Sequence, residues 1–80
     1  MLNIYYSKLT GEIYTISQTE NKQDFRAFGE FEDDMAQILN IIYAQDNDNL
    51  FYNKHLYKVE NGVIIAKPSE GSIILIDETE

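Results

Sequence analysis

The chain has no cysteine, a single histidine, one proline and four glycines. Without cysteine it can form neither disulfides nor thiolate metal sites, which fits a reducing compartment. With His55 as its only imidazole, neither a Ser-His-Asp arrangement nor a two-histidine metal site can be built within it. The scattered glycines form no phosphate cradle. No apolar run approaches the ~18 residues that a membrane-spanning helix needs. The opening "MLNIYY" lacks the basic and long apolar regions of a signal peptide. These absences predict a protein that stays in the cell, or leaves it inside a larger assembly.

Positive charge is also scarce. Six basic residues face fourteen acidic ones, for a net charge of −8. Direct nucleic-acid binding is disfavoured, because phosphate contacts need clustered Lys and Arg. No base lies between Arg26 and Lys54, yet Glu30, Glu32, Asp33, Asp34, Asp46 and Asp48 all do. After Lys67 come Glu70, Asp77, Glu78 and Glu80, again without a base. Such a field steers a protein toward a positively charged partner. The plainer reading is that the acids keep a small domain soluble.

What is present describes one small α+β domain spanning residues 1–80. A chain this short buries only about 60 % of its unfolded surface, so its core is thin. "NIYYSK" and "EIYTIS" flank "LTG" as a β-hairpin, with Gly11 at the left-handed turn position. The simplest register sets Lys8 against Glu12, Tyr6 against Tyr14 and Ile4 against Ile16. Leu2, Ile4, Tyr6, Tyr14 and Ile16 then form the inner face, and Tyr5 points outward. "SQTENKQDFRAFG" reads as a loop whose Phe25 and Phe28 plug the sheet. Phe31, Met35, Ile38, Leu39 and Ile42 carry the spacing of an amphipathic helix. Glu30, Glu32, Asp33 and Asp34 crowd its first turn, where acids complement the helix dipole. The helix reaches Leu39, and then either continues to Tyr43 or gives way to a strand, since "ILNIIYAQ" is rich in β-branched residues.

"QDNDN" breaks whatever precedes it. Downstream, Asn61-Gly62 is the preferred pair for a type I′ hairpin, setting Val59 against Ile64 and Tyr57 against Ala66. His55 shares the inner face of that hairpin with Tyr57 and Val59. After "PSEGS", the run "IILI" reads as a last strand. The predicted order is β-hairpin, helix, second β-hairpin and C-terminal strand, in one antiparallel-rich sheet packed on the helix. The expected core is Ile4, Tyr6, Tyr14, Ile16, Phe31, Met35, Ile38, Leu39, Tyr57, Val59 and Ile64.

No catalytic constellation emerges, and no cofactor or metal is expected. "DNDN" has the alternating oxygens of a calcium loop. However, Leu50 takes a ligand position, Phe51 replaces the required glycine and Tyr57 replaces the closing glutamate. Asp33 and Asp34 are adjacent on a helix start and point apart, which suits them poorly to shared acid–base work. Six tyrosines and four phenylalanines are many for a thin core. Tyr5, facing outward, and Tyr52, in an irregular loop, are candidate contact residues. The alternative is that they cover the sheet edge.

"MLNIYYSKLTGEIYTI" resembles the first hairpin of the β-grasp family in its "LTG" turn and inward pattern. The likeness implies a ββα start; the diglycine ending used for conjugation is lacking. "YYSKLTGEIY" and "HLYKVENGVIIAKP" are similar to short acidic proteins of tailed bacteriophages, in which a Y-K-V-x-N-G-x-I run lies near the C-terminus. That resemblance implies either an anti-defence inhibitor, such as an anti-CRISPR protein, or a virion or tail accessory protein. The first expectation is an inhibitor in the host cytoplasm that occupies a basic, nucleic-acid-handling host protein. Glu30, Glu32, Asp33 and Asp34 would act as phosphate mimics, with Asp46 and Asp48 extending the row. The alternative is a virion component held by sheet-edge pairing, which also admits a homodimer.

Overall fold

The structure, a computed structural model, describes residues 1–67. Strands β1 (Leu2–Ser7) and β2 (Ile13–Gln18) precede a 3-10 segment, Phe25–Phe31, which runs into helix α1 (Glu32–Ile38). Strand β3 (Leu39–Ala44) follows, then a short helix α2 (Asp48–Tyr52), a 3-10 turn (Lys54–Leu56) and strands β4 (Tyr57–Glu60) and β5 (Val63–Ala66). The domain is α+β, as the residue pattern predicts. Its strands divide into two antiparallel sheets, one ordered β2-β1-β3 and one β4-β5, where a single sheet was expected. The anticipated C-terminal strand over "IILI" lies outside the described residues.

β1 is central because it is apolar on one side and usefully polar on the other. Leu2, Asn3, Ile4 and Tyr5 are all buried, so both faces of the strand are covered. On one face Leu2, Ile4 and Ile16 pack with Leu50, flanked by Ile13, Ile42, Phe51, Tyr57 and Ile64. On the other, Phe25 and Phe28 fold back over Tyr5, with ring centroids 5.8 and 4.9 Å away in edge-on geometry. The plug expected of these two phenylalanines is therefore present. It buries Tyr5, which alternation alone had placed outward.

The first hairpin keeps the predicted Ile4–Ile16 pair but departs from it near the turn. Tyr5 pairs with Thr15 and Tyr6 with Ile13, leaving Tyr14 as the extra residue of a β-bulge. The bulge turns Ile13 toward the core. Tyr14, expected inside, is exposed and leans toward Phe28 at 6.4 Å, and Tyr6 is only half-buried. Lys8 does not face Glu12. The Ser7 N–H donates to the Glu12 carbonyl (2.9 Å), which makes residues 8–11 the loop, and Ser7 Oγ accepts from the N–H groups of Leu9 and Thr10. A serine ready to bond the turn backbone outcompetes the weak surface ion pair.

The chain leaves helix at Ile38 and enters β3 at Leu39 (φ −120°, ψ 154°). Of the two outcomes open for "ILNIIYAQ", the strand prevails. β1 offers a free edge, and β3 fills it with an unbroken register from Leu2↔Ala44 to Ser7↔Leu39. β-Branched Ile41 and Ile42 gain more from that ladder than from another turn of helix. The consequence for α1 is large. Leu39 is buried, while Phe31 and Ile38, both expected in the core, are each 56 % exposed.

The second hairpin follows prediction, pairing Val59 with Ile64 and Tyr57 with Ala66. Asn61 (φ 54°) and Gly62 (φ 76°) supply the two positive angles of its turn. His55 is not on its inner face; it is exposed in the 3-10 turn that precedes β4. The two sheets meet at the first turn. There the Val59 N–H donates to the Gly11 carbonyl (2.8 Å), and the Lys67 ammonium pairs with the Glu12 carboxylate (2.7 Å).

Candidate acidic protein-binding surface

The acidic segment is held in place by buried polar chemistry on the second face of β1. Asn3, wholly buried, donates from Nδ2 to Thr19 Oγ1 (2.7 Å) and accepts the Gln23 N–H at Oδ1 (2.9 Å). Tyr5 donates its O–H to the Asp24 carbonyl (2.9 Å), and Tyr43 donates to the Gln23 carbonyl (2.6 Å). These bonds fix the connection after β2. Asp24 then starts the 3-10 segment by accepting the Arg26 N–H (2.9 Å) and its guanidinium. The Arg26 side-chain hydrogen bonds, with its backbone N–H, hold the Asp24 carboxyl below the usual carboxylate range. Gly29 (φ 63°, ψ −126°) bends the chain into α1.

Past that bend the acids accumulate. Glu30, Asp33 and Asp34 are exposed and Glu32 is half-buried. Glu32, Asp33 and Asp34 occupy the first turn of α1, as the sequence predicts, but Glu30, expected there as well, lies in the 3-10 segment before it. None of the four is in an ion pair among the described residues, where the Arg26 guanidinium is committed to Asp24 (2.9 Å). The result is a short, solvated negative surface on a segment hydrogen-bonded at its start, where the Arg26 guanidinium also feels the Glu32 charge.

Asp46 and Asp48 do not extend this row. β3 lies between them and α1, and a six-residue strand is roughly 17–20 Å long. Asp46 instead pairs with the Met1 ammonium at 2.8 Å, and that hydrogen bond lowers its pKa. Asp48 sits in the first turn of α2. The side-chain amides of Asn47 and Asn49 are spent on structure. Asn47 Oδ1 caps α2 by accepting the Leu50 N–H (3.0 Å), and Asn49 donates to the Tyr57 hydroxyl (2.7 Å).

Of the two candidate contact tyrosines, Tyr5 is only 2 % exposed and unavailable to a partner. Tyr52 is 73 % exposed, but at the end of α2 rather than in an irregular loop. Spacing also concealed that Phe31 and Ile38 of the apolar stripe face water while Met35 is only half-buried, since a helix on a sheet would bury all three. The signal for the exposure was the β-branched run beginning at Ile38.

A cleft of about 440 Å³ opens between the end of β3, α2 and the second hairpin, lined by Asp46, Asn47, Leu50, Tyr57 and Ile64 among others. Of its polar side chains, Asn47 caps α2, Asp46 pairs with the Met1 ammonium and the Tyr57 hydroxyl accepts from Asn49. Among the described residues, no group of three or more His, Cys, Asp or Glu is arranged to hold a metal ion. No helix among them is long and apolar enough to cross a membrane. No family model, curated protein or solved structure matches the chain.

Proposed function

We propose that the protein is a non-catalytic acidic binding module that occupies the basic surface of a nucleic-acid-handling protein. The observation that carries this reading is the exposed, unpaired set Glu30, Asp33 and Asp34, with Glu32 beside it, in a chain of net charge −8. Carboxylates on a short helix present negative charge to a phosphate-binding surface, and they draw such a surface in from a distance. The likeness of both hairpins to short phage proteins suggests the setting: inhibition of a host defence protein during infection. The test is affinity capture from host lysate, followed by competition between the captured protein's nucleic acid and this chain. Competition that weakens steeply as salt is raised supports the reading. A captured protein whose nucleic-acid binding is untouched, or no basic protein at all, overturns it.

A second reading rests on β3. Among the described residues it is an edge strand, with an unbroken register against β1 and no charge, proline or glycine in "LNIIYA" to block a further strand. That edge would suit a virion component held by strand addition. Recovery of the protein in purified particles supports it, and its absence from them counts against it.

A further inference from the structure

Neither α1 nor the 3-10 segment before it has a buried residue. Phe31 and Ile38, 56 % exposed each, are the apolar positions left facing water. Phe31 is the N-cap of α1, and at helical spacing Asp34 and Ile38 (i, i+4) share one side of the helix that follows it, next to half-buried Met35. Large apolar side chains grouped on a polar rim are the usual composition of a contact surface.

Charge decides among the occupants. A second copy of the chain would bring its own −8 and set Asp34 against the same acids. Residues 68–80 of this chain carry Glu70, Asp77, Glu78 and Glu80 without a base, so they too would bring like charge to Asp34. A basic protein brings the opposite sign. We infer that this side of α1 docks in a groove of a basic protein, apolar on its floor and rimmed by Lys or Arg. Phe31 and Ile38 enter the groove and Asp34 pairs at its rim, the helix-in-groove mode of recognition. The inference rests on the acidic-binder reading and adds that affinity is not set by charge alone.

Two synthetic peptides of equal positive charge serve as probes, one of Lys and Leu at helical spacing and one of Lys and Ser. The full chain should bind the Lys–Leu peptide about tenfold more tightly or better. Phe31→Ser with Ile38→Ser should abolish that preference, while Val63→Ser, at an exposed position (58 %) on the other sheet, should keep it. Equal affinity for both peptides, or a preference that survives the double variant, overturns the inference. It leaves the acidic reading standing where Asp33→Asn with Asp34→Asn weakens both peptides. Binding of neither peptide removes the acidic reading and this inference together. A Phe31→Trp chain gives a second readout should the double variant not fold. Its emission should be that of a solvated indole and shift to the blue with the Lys–Leu peptide only. A buried emission in the free monomer, or a dimer in sedimentation that Phe31→Ser with Ile38→Ser dissolves, gives the face to the chain itself and overturns the inference.

Discussion

Asn3 sits wholly buried on the polar face of β1, with its amide satisfied on both sides: Nδ2 by Thr19 and Oδ1 by the Gln23 N–H. Removing it leaves that backbone N–H without its acceptor, a loss of about 1–3 kcal/mol. Asn3→Ala should lower the urea midpoint accordingly; a change within about 0.5 kcal/mol would show that the network contributes little. Tyr5 on the same face makes a pH prediction. Its pKa is raised above 10.0, first by burial and then by the nearby charges of Tyr43 and Asp24. The folded state therefore prefers the neutral phenol. Its contribution is fully present below about pH 10 and is lost as pH rises through the higher folded-state value. In an alkaline titration followed by phenolate absorbance, Tyr5→Phe should remove a phenol that ionises above the ordinary tyrosine range. The variant should also melt less steeply with pH above 10. An unchanged titration curve would mean that Tyr5 is solvated.

The joint between the two sheets turns on one glycine. Gly11 has φ 81°, and a Cβ built there would lie 2.2 Å from the Val59 carbonyl oxygen. Gly62 also has a positive φ (76°), but nothing lies within 4 Å of its Cβ position. Both Gly→Ala changes incur the backbone strain of roughly 1–3 kcal/mol, and only Gly11→Ala adds a collision with backbone. Gly11→Ala should thus be the more damaging in a thermal melt and should release amide protection across β4 and β5. Equal melts for the two variants would show that the sheets can part there without penalty. Sequence located both turns, because Asn-Gly and a glycine after a short polar loop are local signals. It did not locate the contact between them, which joins residues far apart in the chain. The same division runs through the other elements. The Ile4–Ile16 and Val59–Ile64 pairs were legible from alternation around a turn, whereas the bulge at Tyr14 depended on which of two neighbours the core would accept. The end of α1 was ambiguous because the 3.6-residue stripe and the β-branched run overlap at Ile38 and Leu39. Only the vacant edge of β1 decides between them. The acids at the start of α1 were placed correctly, being local to one helix; Asp46 and Tyr5 were not, because a terminal ammonium and a returning 3-10 segment claim them.

At the scale of the whole molecule, charge and fold are nearly separable. Acids at a helix start contribute roughly 0.3–1 kcal/mol each through the dipole when exposed, and mutual repulsion among Glu30, Glu32, Asp33 and Asp34 reduces the sum. α1 has no buried residue, so little of the core depends on its exact stability. Asp33→Asn with Asp34→Asn should therefore shift the melt by less than about 1 kcal/mol equivalent, with relief of repulsion offsetting the lost dipole term. The same change lowers the net charge from −8 to −6, the difference being the two carboxylates removed. Binding to a basic partner should respond far more strongly than folding does. Loss of pairs at the rim should slow association and flatten its salt dependence, while a pair central to the interface should cost about 2–5 kcal/mol on removal. A melt and a titration on one preparation of the double variant measure both quantities. An intact melt with weakened, less salt-sensitive binding assigns the carboxylates to the partner. An intact melt with unchanged binding removes Asp33 and Asp34 from the interface and favours the second reading, strand addition at the uncharged edge of β3.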